Sequence, residues 1–218
     1  MDAALRWTIA DLEVMPKVEG RRYEIIDGEL YMSTQPHYHH QLTCNNVSFQ
    51  LMSWDIKARI GQTVNAPGII FADDDNVAPD VSWCSFKRLK DILRDDGKLH
   101  GAPELVIEVL SPGSTNELRD GKAKLKLYSR RGVEEYWILD WWSGRAEIYR
   151  RRFRQLRLVE TLFKQDALTS PLLPGFTCRV ADLFDYPSIE LPETETPASK
   201  NTNGNNSKRK NQNGSTHK

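Results

Sequence analysis

The stretch from Pro103 to Asp140 constrains this chain more than any other, because it reads as strand, helix, strand. Leu105–Leu110 is almost wholly apolar, the pattern of a strand buried on both faces. Ser114-Thr115-Asn116-Glu117 fits a capping box, which predicts a helix start near Thr115. Ala123, Leu127 and Arg131 follow at i, i+4 spacing, with Leu125 and Tyr128 beside them. Gly132 suits the residue just past the helix end. Val133–Asp140 then returns as a second apolar strand. A unit of this length predicts a parallel pair joined by a right-handed crossover. One residue breaks the pattern. Glu108 sits inside the first apolar strand, where an ionised carboxylate needs a partner charge or a metal.

The flanking sequence adds strands and short helices. Trp7–Val14 opens on Thr8, an N-cap residue, and ends at Met15-Pro16, which predicts a short helix. Arg22–Ile26 and Glu29–Ser33 flank Asp27-Gly28, a strong hairpin signal. His40–Ile56 carries Leu42, Val47, Leu51 and Trp54 near helical spacing, so a helix with one exposed face is expected. Gly61–Phe71 and Val77–Trp83 read as two strands joined by the acidic loop at 72–76. That loop lacks the glycine and distal glutamate of an EF-hand, and a solvated turn is its expected state. Phe86–Gly101 reads as a short helix and loop, Arg145–Arg152 and Leu156–Phe163 as an antiparallel pair, and Val180–Phe184 as a last helical turn.

Length and charge bound the function classes. The 218 residues suit one domain, expected at 1–186, followed by a polar tail at 187–218 expected to be disordered. Lysine plus arginine and aspartate plus glutamate balance at 30 each. Five of the bases and two of the acids stand from Leu191 on, so the body is slightly acidic. Any anion-binding surface on it must be local. Cys44, Cys84 and Cys178 are scattered and form no CxxC pair, which argues against a zinc or disulfide framework and fits a reducing cytoplasm. No apolar run approaches the ~20 residues of a membrane helix, and the N-terminus shows no signal pattern.

A possible site emerges from two carboxylates. Asp80 follows Pro79 in the run Val77–Trp83, and Glu108 stands on the later strand. If the two strands are neighbours, both acids can meet one cation. Magnesium is commonly held by one or two carboxylates, with water and substrate phosphate completing its shell. Taken singly, Asp80 can equally start a turn and Glu108 can pair with a structural Arg or Lys.

Those residues carry a resemblance. Pro79-Asp80, then Glu108-Val109-Leu110, then a lysine, is similar to the PD-(D/E)xK nuclease superfamily. More narrowly, the chain resembles the Uma2 family of restriction-endonuclease-like proteins. The matching stretches are Arg22–Ser33, His40-Gln41, Ala78–Trp83, Pro103–Pro112, Lys124–Asp140 and Leu172–Phe176, in order, over about Trp7 to Phe184. The resemblance implies an α/β fold with a restriction-endonuclease-like mixed sheet core flanked by helices. It implies DNA as substrate, Mg2+ or Mn2+ as cofactor, and a homodimer. Position 110, where the superfamily pattern has its lysine, is Leu110; the lysine that matches the Uma2 pattern is Lys124, on the following helix. An Asp120–Lys124 surface pair at i, i+4 is the plainer reading of that residue.

The resemblance assigns Asp80, Glu108 and Lys124 as catalytic, with Asp80, Glu108 and Glu24 as metal ligands. Glu24 is also explained by pairing across a hairpin. His37, His39 and His40 cluster without an HxxxH spacing; His40 suits a positioning role near phosphate or simply the start of a helix. The function expected is metal-dependent endonucleolytic hydrolysis of DNA phosphodiesters. The alternatives are a catalytically silent nucleic-acid-binding or assembly module on the same fold, and a hydrolase of another phosphate ester.

Overall fold

The computed structural model describes residues 5–16, 18–111 and 119–186, the side chains of 119–121 excepted. Met1–Tyr186 cluster into one compact unit. Along the chain, α1 (Ile9–Val14) leads into the hairpin β1 (Arg22–Ile26) and β2 (Glu29–Ser33), and then the long α2 (Tyr38–Ala58). Four short strands follow: β3 (Gly61–Asn65), β4 (Ile69–Ala72), β5 (Asp75–Val77) and β6 (Val81–Ser85). After α3 (Phe86–Ile92) comes β7 (Leu105–Val109). A π-helical turn, Arg119–Lys124, runs into α4 (Leu125–Arg131), and β8 (Glu135–Asp140) completes the unit. The rest is β9 (Arg145–Arg152), β10 (Gln155–Phe163), the short β11 (Ala167–Thr169) and β12 (Thr177–Arg179), and α5 (Val180–Leu183).

Among the described residues the strands form three sheets. The largest is six-stranded, in the order β10-β9-β8-β7-β6-β3. Within it β7 and β8 are parallel, with Glu108 opposite Ile138, and every other pair is antiparallel. A four-stranded sheet runs β2-β1-β5-β4, and β11 pairs with β12. The fold is therefore a mixed α/β core flanked by helices, as the family resemblance implies, and β7 and β8 are the parallel pair that the strand–helix–strand reading predicts.

Alternation along the central strands divides the core in two. Leu105, Ile107 and Val109 of β7 and Trp137 and Leu139 of β8 pack with Val47 and Leu51 of α2. Val106, Tyr136 and Ile138 point the other way, toward Leu127 and Tyr128 of α4. Glu108 shares parity with Val106, so it belongs to the α4 side of the sheet. Gly132 ends α4 at φ 96°, a left-handed cap that suits glycine. The hairpin turn places Asp27 at φ 54° and Gly28 at φ 77°, the geometry that favours Asp-Gly.

Three expectations need correction. Gly61–Phe71 is two strands in different sheets, split at Ala66-Pro67, where Ala66 takes φ 50°. Val77–Trp83 is likewise split: Val77 ends β5, Val81 begins β6, and Pro79, lacking an amide donor, lies between them. Asp80 thus stands before a strand and not inside one. The acidic loop is not simply solvated either. Asp75 is 1% exposed and is bound by Arg130 and Arg131 of α4. The capping box at 114–117 and the tail from 187 lie outside the described residues.

Candidate functional site

The crossover helix and the strands around it bring the sequence-picked residues to one place. Antiparallel pairing of Val81 with Ile107 brings Asp80 to the end of β7. There the Val109 N–H donates to Asp80 Oδ2 at 2.8 Å, and the Ala66 N–H donates to the Asp80 carbonyl at 2.9 Å. Glu108 is fully within β7 and 2% exposed. Its Oε1 accepts from Lys124 Nζ at 2.9 Å and from the Tyr128 hydroxyl at 2.8 Å. Lys124 and Tyr128 are four apart at the start of α4, so one helix face delivers both.

Lys124 is itself 2% exposed, so it is not a surface residue, and the side chain of its expected partner Asp120 lies outside the described residues. Its neighbours Lys122 and Lys126 are exposed. Lys124 Nζ lies 3.3 Å from Glu24 Oε1, and that same oxygen accepts the Ala78 N–H at 2.8 Å. Glu24 is therefore not merely a hairpin residue. It ties β1 to the segment carrying Pro79-Asp80 and to the crossover helix.

His40 completes the cluster. Its Nε2 is 3.3 Å from Asp80 Oδ2, and its Nδ1 is 3.6 Å from Cys44 Sγ. The neighbouring histidines go elsewhere. His37 caps α2 and stacks on Trp141 at 4.7 Å, and His39 stacks on Tyr186 at 4.6 Å. Cys44 escaped the sequence reading. His40 and Cys44 are i, i+4 on a helix, a spacing that places two ligands on one face, and that HxxxC spacing is the only sequence signal the pair gives.

Burial and charge set the protonation of these groups. Burial pushes the Asp80 carboxyl up, but the hydrogen bond and charge of His40, the charge of Lys124 and the Val109 N–H outweigh it, and its pKa lies below the ordinary value. Burial, followed by the Asp80 and Glu108 charges, pushes the Cys44 thiol up. Burial and the Glu108 charge raise Tyr128 well above the ordinary phenol value, so its hydroxyl remains a donor to Glu108.

Glu24, His40, Cys44, Asp80, Glu108 and Lys124 all line one cleft of about 640 Å³. Arg21 and Arg22, both exposed, lie on the same lining. In a body without excess positive charge, they are a local anion-attracting feature.

The Uma2 family model, described as "Putative restriction endonuclease", matches residues 9–181. The chain belongs to the Uma2 family. A solved structure described as a "putative nuclease belonging to DUF820 from Anabaena variabilis ATCC 29413" matches with a TM-score of 0.65 and 19% identity. That match covers 81% of this chain and 97% of the other, and at this identity it shows a shared fold. No curated relative matches the sequence. Among the described residues, no helix is long and apolar enough to cross a membrane.

Proposed function

We propose that this Uma2 protein is a metal-dependent endonuclease that hydrolyses DNA phosphodiesters. The observation that carries the reading is the convergence of Asp80, Glu108 and Lys124 on one cleft, with the lysine amine 2.9 Å from Glu108. Family membership supports the same reading.

The donors fit a hard divalent cation. Asp80 and Glu108 offer carboxylate oxygens on the lining of one cleft, and Asp80 is partly open to it. Magnesium or manganese favours such a set, which leaves positions for water and a phosphate oxygen. When bound, the ion supplies a water of lowered pKa and stabilises charge on the phosphate. Asp80 and Glu108 hold it. Glu24, through its 3.3 Å contact with Lys124, keeps the amine aimed at Glu108 and the cleft. Lys124 carries a compact charge with three donors, suited to orienting the attacking water and meeting negative charge on the scissile phosphate. Arg21 and Arg22 hold the flanking DNA backbone by phosphate contacts, which carry no sequence information.

The test is cleavage of plasmid and linear DNA with and without Mg2+, using Asp80→Ala prepared identically. Cleavage by the native chain that needs Mg2+ and is lost in Asp80→Ala is the expected result. No cleavage under any divalent metal, or equal cleavage by the variant, overturns the reading.

A further inference from the structure

We propose that His40, Cys44 and Asp80 form a binding site for a transition-metal dication of the zinc class, which shares one carboxylate with the magnesium site proposed above. One donor atom from each residue lies within 4.8 Å of the other two. His40 and Cys44 project from one face of α2, four residues apart, as helix-borne zinc ligands do. Asp80 is fixed opposite them by the amide of Val109.

The three donor atoms lie within 4.8 Å of one another, and an ion would draw them closer. Tetrahedral zinc at its usual bond lengths places nitrogen, oxygen and sulfur ligands roughly 3.3–3.6 Å apart. The imidazole stands 3.3 Å from the Asp80 oxygen through Nε2 and 3.6 Å from the thiol sulfur through Nδ1, so with either nitrogen on the ion only one of these two separations lies between ligand atoms. An ion takes one of those nitrogens and replaces the hydrogen bond made there. The Cys44 thiol releases its proton to solvent on binding, so uptake is pH-dependent. All three residues line the cleft, which leaves a fourth position facing open space.

The donor set separates this ion from magnesium. A thiolate and an imidazole select zinc or cobalt, whereas magnesium selects oxygen. Both ions draw on the Asp80 carboxylate, and two dications held that close repel, so each weakens the other's binding. Only this competition rests on the nuclease reading; the site itself does not.

Cobalt(II) is the probe, because thiolate ligation gives a charge-transfer band in the near ultraviolet. The reduced, full-length protein is titrated with Co2+ alone. A saturable band is expected in the native chain and in Cys84→Ser and Cys178→Ser, whose sulfurs are not in this group. Loss of the band is expected in Cys44→Ser and Cys44→Ala, with native circular dichroism as the folding control, and in His40→Gln as an independent arm. No band in the native chain, or a band that survives in the folded Cys44 variants, overturns the site. Excess Mg2+ should diminish the band; if it does not, Asp80 is not shared. A band that forms in a protein unable to cleave DNA overturns the nuclease reading and leaves this site standing.

Discussion

Asp75 and Glu108 are both buried carboxylates, 1% and 2% exposed, and one helix supplies basic partners to both. The partners differ in kind. Asp75 meets Arg130 and Arg131, whose planar guanidiniums fork onto Oδ2, while its Oδ1 accepts the Asp27 N–H at 2.8 Å. Both arginines keep part of their side chains in solvent. Glu108 meets Lys124, a point charge that is itself buried and that also faces Glu24. Asp75 is absent from the lining of the large cleft, and Glu108 and Lys124 are on it. A buried charge is therefore not enough to mark a site. What distinguishes Glu108 is a re-aimable cation beside it and open space in front of it.

The largest effect should come from breaking both clusters at once. Leu127 is fully buried between Lys124 and the two arginines along the crossover helix. Leu127→Asp places an unpaired carboxylate in the core and should destabilise by more than about 4 kcal/mol. Chemical denaturation should find the variant largely unfolded. A near-native midpoint would mean that the helix does not present the face described here.

Separating the clusters comes next. Asp75→Ala removes a buried anion from two arginines and should cost about 3 kcal/mol, the low end for a broken buried pair, because both arginines can reach water. Lys124→Met takes a cation away from Glu108 and Glu24 and should cost a similar amount, about 3 kcal/mol without metal. Thermal melts with and without Mg2+ distinguish them. The Asp75→Ala deficit should be the same in both, and the Lys124→Met deficit should shrink when Mg2+ is present. Turnover of Lys124→Met should fall by roughly 10²–10³, the usual loss of a charge-stabilising donor. Equal metal responses in the two variants would remove the distinction between anchor and site.

A smaller change in stability, with a large change in binding, is expected of Glu108→Gln. Glutamine keeps an oxygen for Lys124 and Tyr128, so the cost should be about 1–2 kcal/mol. The stabilisation by Mg2+ should disappear. Retention of the full Mg2+ effect would exclude Glu108 from the metal site.

The sequence makes these two clusters unequally legible. Glu108 stands out because its neighbours are apolar without exception from Leu105 to Leu110. The helix that brings Lys124 is punctuated by Gly132, and the hairpin that brings Glu24 by Asp27-Gly28. Asp75 gives no such signal: it lies among acidic residues that read as a turn, and its arginines are 55 and 56 residues away. The breaks at Ala66-Pro67 and Pro79 were hidden because β-rich composition continues on both sides of each switch of sheet. Strands of three residues, such as β11 and β12, are too short for any periodicity to register. Cys44 is not legible in the sequence, because an HxxxC pair has meaning only once the helix, and the aspartate facing it, are in place.

Asp27 gives the finest probe of the comparison, since it shares Arg130 with Asp75 but lies nearer the surface. Arg130 binds both carboxylates, and Lys126 reaches Asp27 at 3.2 Å. About a third of the Asp27 side chain is exposed, so solvent screens these pairs and each is worth under about 1 kcal/mol. Burial pushes the Asp27 carboxyl up, but the hydrogen bonds and charges of Arg130 and Lys126 bring it below its ordinary value of 3.8. A carboxylate with a depressed folded-state pKa stabilises the fold above the unfolded value and loses that contribution as pH falls through the folded one. Asp27→Asn removes the charge and leaves the turn intact, because asparagine before glycine suits the left-handed geometry at φ 54°. The backbone donor to Asp75 is also unchanged. Asp27→Asn should therefore cost less than about 1 kcal/mol at pH 7, and the two stability curves should converge as pH drops below 3.8. Urea denaturation across that range measures it. A loss as large as that of Asp75→Ala would mean that the surface arm, and not the buried one, holds the crossover helix in register.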